Sequence, residues 1–234
     1  AERSDARPLA ELWCHAFPGE RTVADRIRQL ETGIPYGGLE CAWIAEEDGR
    51  LAGAFKAYRL AEYIAGARLP MLGLAAVAVA PDARRRGVGR ALVRQAIRLG
   101  RERGDVVSVL YPFRPDFYHL LGWGLAGELR ALLFRPESLP EAPEARHVRL
   151  AGPEDRAAIA ACYARVAARS NGPIERGEGA WTHHLGAAET HAFVYDDGGV
   201  RGYLLARYGR AQAPERRTLH VRELVAEDDA ARRG

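Results

Sequence analysis

Two short stretches carry side chains whose types and spacing could do chemistry. The first is Arg84-Arg85-Arg86-Gly87-Val88-Gly89-Arg90, which puts four guanidinium groups and two glycines into seven positions. It follows the apolar run "LPMLGLAAVAVA" and opens a segment in which Val88, Ala91, Leu92, Ala96 and Leu99 recur at helical spacing. A helix N-terminus exposes unpaired backbone N–H groups and the positive end of the helix dipole, so it holds anions. Glycine at 87 and 89 lets a phosphate reach those amides without meeting a Cβ, and arginine adds bidentate hydrogen bonds. The chemistry is that of a phosphate cradle, with a solvated basic turn as the plain alternative. No Gly-Lys-Ser/Thr follows, so it is not a P-loop, and a dinucleotide fingerprint would need another glycine before this pair. The second stretch is "RPDFYHLLG", where the phenol of Tyr118 could donate a proton to a leaving group. Its plain alternative is an aromatic core residue. Phe117 and Leu121, one turn apart, are expected to face the core and turn Tyr118 towards a cleft.

The elements that must position these groups read as an α/β (α+β) fold. "RPLAELWCHAF" and "TVADRIRQLE" are expected as short amphipathic helices, the second capped by Thr22. "ECAWIAEEDGRLAGAFKAYRL" predicts two strands around an Asp48-Gly49 turn. "LPMLGLAAVAVA" predicts a central strand covered on both faces, and "DVVSVL" the next buried strand, after a helix closed by Gly104. "RPDFYHLLG" is a short helix between Pro115 and Gly122, "LAGELRALLF" is expected as a last strand, and "RPESLPEAPEARH" as a Pro/Glu-rich linker.

Beyond the linker the pattern restarts. "HAFVYDDGGVRGYLLARY" repeats the strand-turn-strand of "CAWIAEEDGRLAGAFKAYR", and Leu224–Gly234 aligns without gaps on Val77–Gly87. Two repeats in the same order point to an internal duplication. The second copy halts at the equivalent of Gly87, which would leave a sheet edge uncovered, so the natural polypeptide is expected to continue past Gly234. The expected domains are residues 1–138, a linker over 139–146, and a second, truncated copy over 147–234.

Bulk properties narrow the class. The chain has 234 residues, 47% of them hydrophobic, and a formal charge of only +3, which gives no electrostatic case for nucleic acid. Positive charge is nearly all arginine, Lys56 being the only lysine. Cys14, Cys41 and Cys162 are odd in number, widely spaced and without a CxxC pair, so neither a disulfide scaffold nor a metal site is indicated. No apolar run is long enough to span a bilayer, and a cytoplasmic protein with no membrane partner is expected.

The spacing R-x-x-G-x-G at Arg84–Gly89 resembles the acetyl-CoA pyrophosphate loop of the GNAT acetyltransferases. "FYHLLGWG" resembles the F-Y-x-x-x-G-F/Y segment at the far end of the same family's core. The tandem copies, the triple arginine and the tyrosine helix ending in Gly-aromatic-Gly are further similar to the enhanced-intracellular-survival (Eis) type. There an active GNAT domain is followed by a degenerate one and a sterol-carrier-like domain. The resemblance implies that Val77, Ala78 and Val79 pair through their backbone with the pantetheine arm of acetyl-CoA. It implies that Arg84, Arg85, Arg86, Gly87, Val88, Gly89 and Arg90 hold the pyrophosphate, that Phe113 and Arg114 make a further contact, and that Tyr118 is the general acid. The family usually has small or polar residues near Phe113. A homo-oligomer is implied by the resemblance alone.

The reaction implied is acetyl transfer to a primary amine, either a small polyamine- or aminoglycoside-like molecule or a lysine side chain. An amine attacks the thioester, backbone N–H near Val79 stabilises the oxyanion, and Tyr118 protonates the departing thiolate. No general base is assigned: His119 points elsewhere on its helix, and His183, His184 and His191 lie in the second copy. The alternative is a catalytically idle acyl-CoA-binding module. The second copy fits that better, because "AEDDAARRG" puts Glu227 and two aspartates just before its loop.

Overall fold

Thr22 starts the second helix as its sequence predicts. In the computed structural model its hydroxyl oxygen accepts a hydrogen bond from the Asp25 N–H at 3.2 Å, and the Asp25 carboxylate accepts from the Thr22 N–H at 3.0 Å. The structure describes residues 1–19, 21–128, 130–187, 189–209 and 218–234. These divide into two units, Ala1–Glu62 with Arg68–Gly127, and Tyr63–Ala67 with Glu128–Gly234.

In the first unit, α1 (Ala6–Ala16) and α2 (Val23–Thr32) precede β1 (Ala42–Glu47), β2 (Arg50–Ile64) and β3 (Ala67–Val79). The turn between β1 and β2 is set by Asp48 and Gly49, both at positive φ (51° and 72°), as a two-residue hairpin requires. Then come α3 (Val88–Arg103), β4 (Val107–Val109) and α4 (Pro115–His119), and the sheet order is β1-β2-β3-β4. Strand alternation sends Ala54 and Phe55 to opposite faces. On one face Leu9, Leu12, Trp13 and Leu30 pack with Ala54 and Ala78; on the other Leu92, Val93, Ala96 and Leu99 of α3 pack with Phe55, Leu72 and Leu74. Each large side chain so buried contributes roughly 1.5–3 kcal/mol. Gly53 makes the close approach possible, since a Cβ there would sit 2.8 Å from the Ala78 carbonyl oxygen and 2.9 Å from Leu92 Cδ1.

The second unit is a sheet of order β5-β6-β7-β8, from β5 (Val148–Leu150), β6 (His191–Asp196), β7 (Val200–Tyr208) and β8 (Leu219–Ala226). Three helices accompany it: α5 (Arg156–Ala167), α6 (Glu178–Gly186) and α7 (Asp229–Arg233). The duplication read in the sequence has structural counterparts. Both hairpins shift register just before the turn, between Ala45 and Glu46 in one and between Tyr195 and Asp196 in the other. β3 ends at Val79 and β8 at Ala226, positions that the gapless alignment equates.

One expected strand is absent. The described residues of 125–134 form no strand, and Leu132 and Leu133 are 85% and 93% exposed. A strand needs a neighbour to pair with and a face to bury. Among the described residues β4, three residues long, pairs only with β3, and the side chains of Leu132, Leu133 and Phe134 find no core.

Candidate active site

The strand-to-helix junction has the geometry that its glycines predict. Gly87 is the N-cap of α3 at φ 88°, with no side chain bonded to the helix end, and apart from its chain neighbours no described atom lies within 4 Å of where a Cβ would be. The amides of Val88, Gly89 and Arg90 therefore open towards free space at the positive end of a 16-residue helix. Arg84, Arg85, Arg86 and Arg90 are all exposed around it. They are not equivalent. Arg86 is tied to Glu47 in an ion pair, and Arg84 leans back so that its Nε–H donates to the Val79 carbonyl at 3.4 Å. Among the described residues, Arg85 and Arg90 make no ion pair, and Arg85 is held at φ 62°.

β3 supplies an open backbone edge beside the junction. Its parallel pairing with β4 covers only Met71–Gly73, so between Leu74 and Val79 the two strands part. Ala76 sits in this stretch at φ 52°, an unusual conformation for a residue with a Cβ, and the Trp13 indole N–H donates to its carbonyl at 2.8 Å. The Ala80 N–H donates to Ala52 of β2 at 2.9 Å. By strand alternation the amide groups of Val77 and Val79 then point away from β2, to the parted side, while those of Ala78 face β2. Val77 and the Val79 N–H are thus the groups available to an extended ligand, the Val79 carbonyl already accepting from Arg84.

α4 closes the group from the other side. A Cβ at Gly89 would touch Val79 Cγ2 at 3.5 Å and Phe117 Cζ at 3.7 Å, which brings strand, junction and α4 to one spot. Phe117 and Leu121 pack against the core as expected. The expected place of Tyr118 is corrected: it is the most buried of the three, at 5% exposure. Its ring is enclosed edge-on by Phe113, Phe117 and Trp123, with centroids at 5.9, 5.1 and 6.1 Å. Phe117 is half-buried because it leans towards Gly89. Burial pushes the Tyr118 phenol above its ordinary value, so it keeps its proton. Phe113 is 65% exposed and meets the site through its ring against Tyr118, and Arg114 is the exposed N-cap of α4.

A second feature was not legible as a site in the sequence. A cavity of about 580 Å³ is lined by Trp13, Arg21, Arg26, Lys56, Tyr58 and Ala76, among others. It reaches Ala76 of β3 from the side of α1 and α2. Lys56 is 3% exposed, with its ammonium 5.2 Å from the Trp13 ring centroid and 5.7 Å from that of Tyr58. Burial lowers its proton affinity and pushes the Tyr58 phenol up to about 12. The available signal was a single lysine inside an apolar strand of an otherwise all-arginine chain.

The second unit carries carboxylates just after β8. The Asp228 carboxylate accepts the Ala231 N–H at 2.9 Å, capping α7, and pairs with Arg201, also at 2.9 Å. Glu227 pairs with Arg165. The gapless alignment sets these two carboxylates opposite Ala80 and Pro81, while the counterpart of Gly87 is Gly234.

Comparison with known families agrees with this geometry. Residues 1–126 match a family model described as "Acetyltransferase (GNAT) domain". The chain belongs to the GNAT acetyltransferase family. A second GNAT domain model matches residues 172–234, so two such domains stand in tandem. An uncharacterized N-acetyltransferase of Streptomyces griseus is 26% identical, over 92% of this chain and 56% of its own length. One of Streptomyces avermitilis is 29% identical over 52% of this chain and 31% of its own length. The chain thus spans about half the length, or less, of these curated relatives. The GNAT fold recurs in a GCN5-related N-acetyltransferase from Kribbella flavida, with TM-score 0.77 and 23% identity over 100% of this chain and 57% of that one. It recurs in Eis1 from Mycobacterium abscessus, with TM-score 0.73 and 22% identity over 100% of this chain and 60% of that one. Among the described residues no helix is long and apolar enough to cross a membrane, and no three His, Cys, Asp or Glu side chains gather as a metal site.

Proposed function

We propose that the first unit is an acetyl-CoA-dependent N-acetyltransferase of the Eis type, acting on a primary amine. The observation that carries this is the open edge of β3 running into the uncapped N-terminus of α3. Val77 and Val79 would hold the pantetheine arm as an added strand, with Ala78 between them. The amides of Val88 to Arg90, with Arg85 and Arg90 as the unpaired cations, would hold the pyrophosphate; Arg84 and Arg86 would frame it. Phe113 and Arg114 add the outer wall.

The amine nitrogen forms a bond to the acetyl carbon and loses a proton, and the carbon–sulfur bond breaks. Backbone N–H at Val79 would bear the oxyanion's charge, and the Tyr118 phenol would give its proton to the thiolate. No side chain is assigned as base. The second unit is proposed as a degenerate partner that binds no acetyl-CoA, on the ground that Glu227, Asp228 and Asp229 stand just before its loop and would repel phosphate. We place the two domains over residues 1–138 and 147–234. The three free cysteines fit a reducing cytoplasm, and self-association rests on the Eis-type resemblance.

The test is a thiol-release assay with acetyl-CoA and a panel of primary amines. Amine-dependent thiol release supports the enzyme. Acetyl-CoA binding without release under every amine would instead support an idle acyl-CoA module.

A further inference from the structure

Resting on that acetyltransferase site, we propose that the cavity beside Ala75 and Ala76 of β3 takes an acceptor carrying an anionic group besides its primary amine. The anion, a carboxylate or a phosphate, is held by Lys56, Arg26 and Arg21.

Lys56 is the leading observation. A lysine with 3% of its surface exposed, lining a cavity and making no ion pair among the described residues, is costly to keep charged. The faces of Trp13 and Tyr58 compensate it only in part. Glu40, whose field reaches Lys56, accepts a hydrogen bond from the Gly38 N–H at 2.8 Å and makes no ion pair with it.

Arg26 is the second. One of its terminal N–H groups donates to the Phe17 carbonyl at 3.1 Å, while its Nε is buried with no acceptor. Arg21 lines the same cavity from an exposed position. None of the described lining residues is an aspartate or glutamate. Three cations with one buried donor unfilled match a carboxylate or phosphate, which can accept from all of them. A second ammonium in their place would be repelled. Ala75 and Ala76 line the cavity as well, so a bound molecule with its anion on Lys56 can extend its amine to the parted edge of β3. Polyamines, among the acceptors that the resemblance implies, are therefore disfavoured.

The experiment compares 4-aminobutanoate and 2-aminoethyl phosphate with butylamine and 1,4-diaminobutane as acceptors for the same protein and acetyl-CoA. The anionic amines should exceed the neutral and dicationic ones in kcat/KM by at least about tenfold. The better of the two identifies the anion. Lys56→Met should raise their KM by about fivefold or more, narrow the preference, and leave the KM for acetyl-CoA unchanged. Arg21→Gln, at an exposed position that folding does not depend on, should act in the same direction and carries the test if Lys56→Met does not fold.

A second readout needs no turnover. Pentanedioate and inorganic phosphate are titrated into Gly87→Trp, whose junction is blocked, and into that protein with Arg21→Gln added. Anion binding in the first, weakened in the second, supports the cavity even if no amine is acetylated, and absent turnover then counts against the acetyltransferase reading alone. Butylamine or 1,4-diaminobutane used as well as the anionic amines, or a preference untouched by both substitutions, overturns the proposal. Without turnover, so does the absence of anion binding to Gly87→Trp.

Discussion

A phenol enclosed by three aromatic rings is a poor place for a negative charge, and that suits a proton donor better than a base. Burial raises the Tyr118 pKa, so the group stays protonated through the neutral range and beyond its ordinary value of 10. The sign follows for activity and stability alike. A general acid with a raised pKa holds kcat until the pH passes that higher value. The same shift stabilises the fold below pH 10, a contribution lost as pH rises through the folded pKa. Tyr118→Phe keeps the ring and its contacts with Phe113, Phe117 and Trp123 and removes only the hydroxyl. With a saturating amine, kcat should fall roughly 10²–10⁴-fold while Tm changes little. The alkaline limb that belongs to Tyr118 should vanish from the kcat–pH profile of the variant. An unchanged kcat would make Tyr118 a packing residue.

At the scale of elements, the site depends on how closely β2, β3 and α3 approach at Gly53. A methyl group there would press on the Ala78 carbonyl and on Leu92, neither of which can withdraw from the core. Gly53→Ala should destabilise by about 1–3 kcal/mol, a fall in Tm of several degrees by calorimetry, and weaken acetyl-CoA binding through the displaced β3. An unchanged Tm would show that the strands yield more easily than their packing implies. Much of this frame could be read from local rules. The Thr22 cap, the Asp48-Gly49 turn, the apolar face of α3 and the uncapped Gly87 all follow from short-range chemistry. What could not be read depends on neighbours far away in the chain. The parting of β3 from β4 is set by a three-residue β4 (Val107–Val109), and the carbonyl of the positive-φ Ala76 is held by an indole 63 positions upstream. Residues 125–134 have the composition of a strand, but the described ones among them meet no edge to pair with. Helical spacing put Tyr118 in the cleft, whereas the ring cluster draws it into the core and leaves Phe117 beside Gly89. Lys56 looked like one more cation until its burial between Trp13 and Tyr58 was visible.

For the whole molecule, the two copies carry opposite charge where β3 and β8 end. The first runs on into arginines and the glycines of the α3 N-terminus; β8 is followed by Glu227, paired with Arg165, and by Asp228, which caps α7 and pairs with Arg201. These carboxylates, just before the loop of the second copy, would repel a phosphate there. Each chain should therefore bind one acetyl-CoA and not two. The measurement that bears on this most directly is isothermal titration of acetyl-CoA into the wild-type protein and into Gly87→Trp. One site per chain in the first and no binding in the second is the predicted result, since an indole at residue 87 fills the space before the α3 amides. Two sites per chain, or acetyl-CoA bound undiminished by Gly87→Trp, would contradict it.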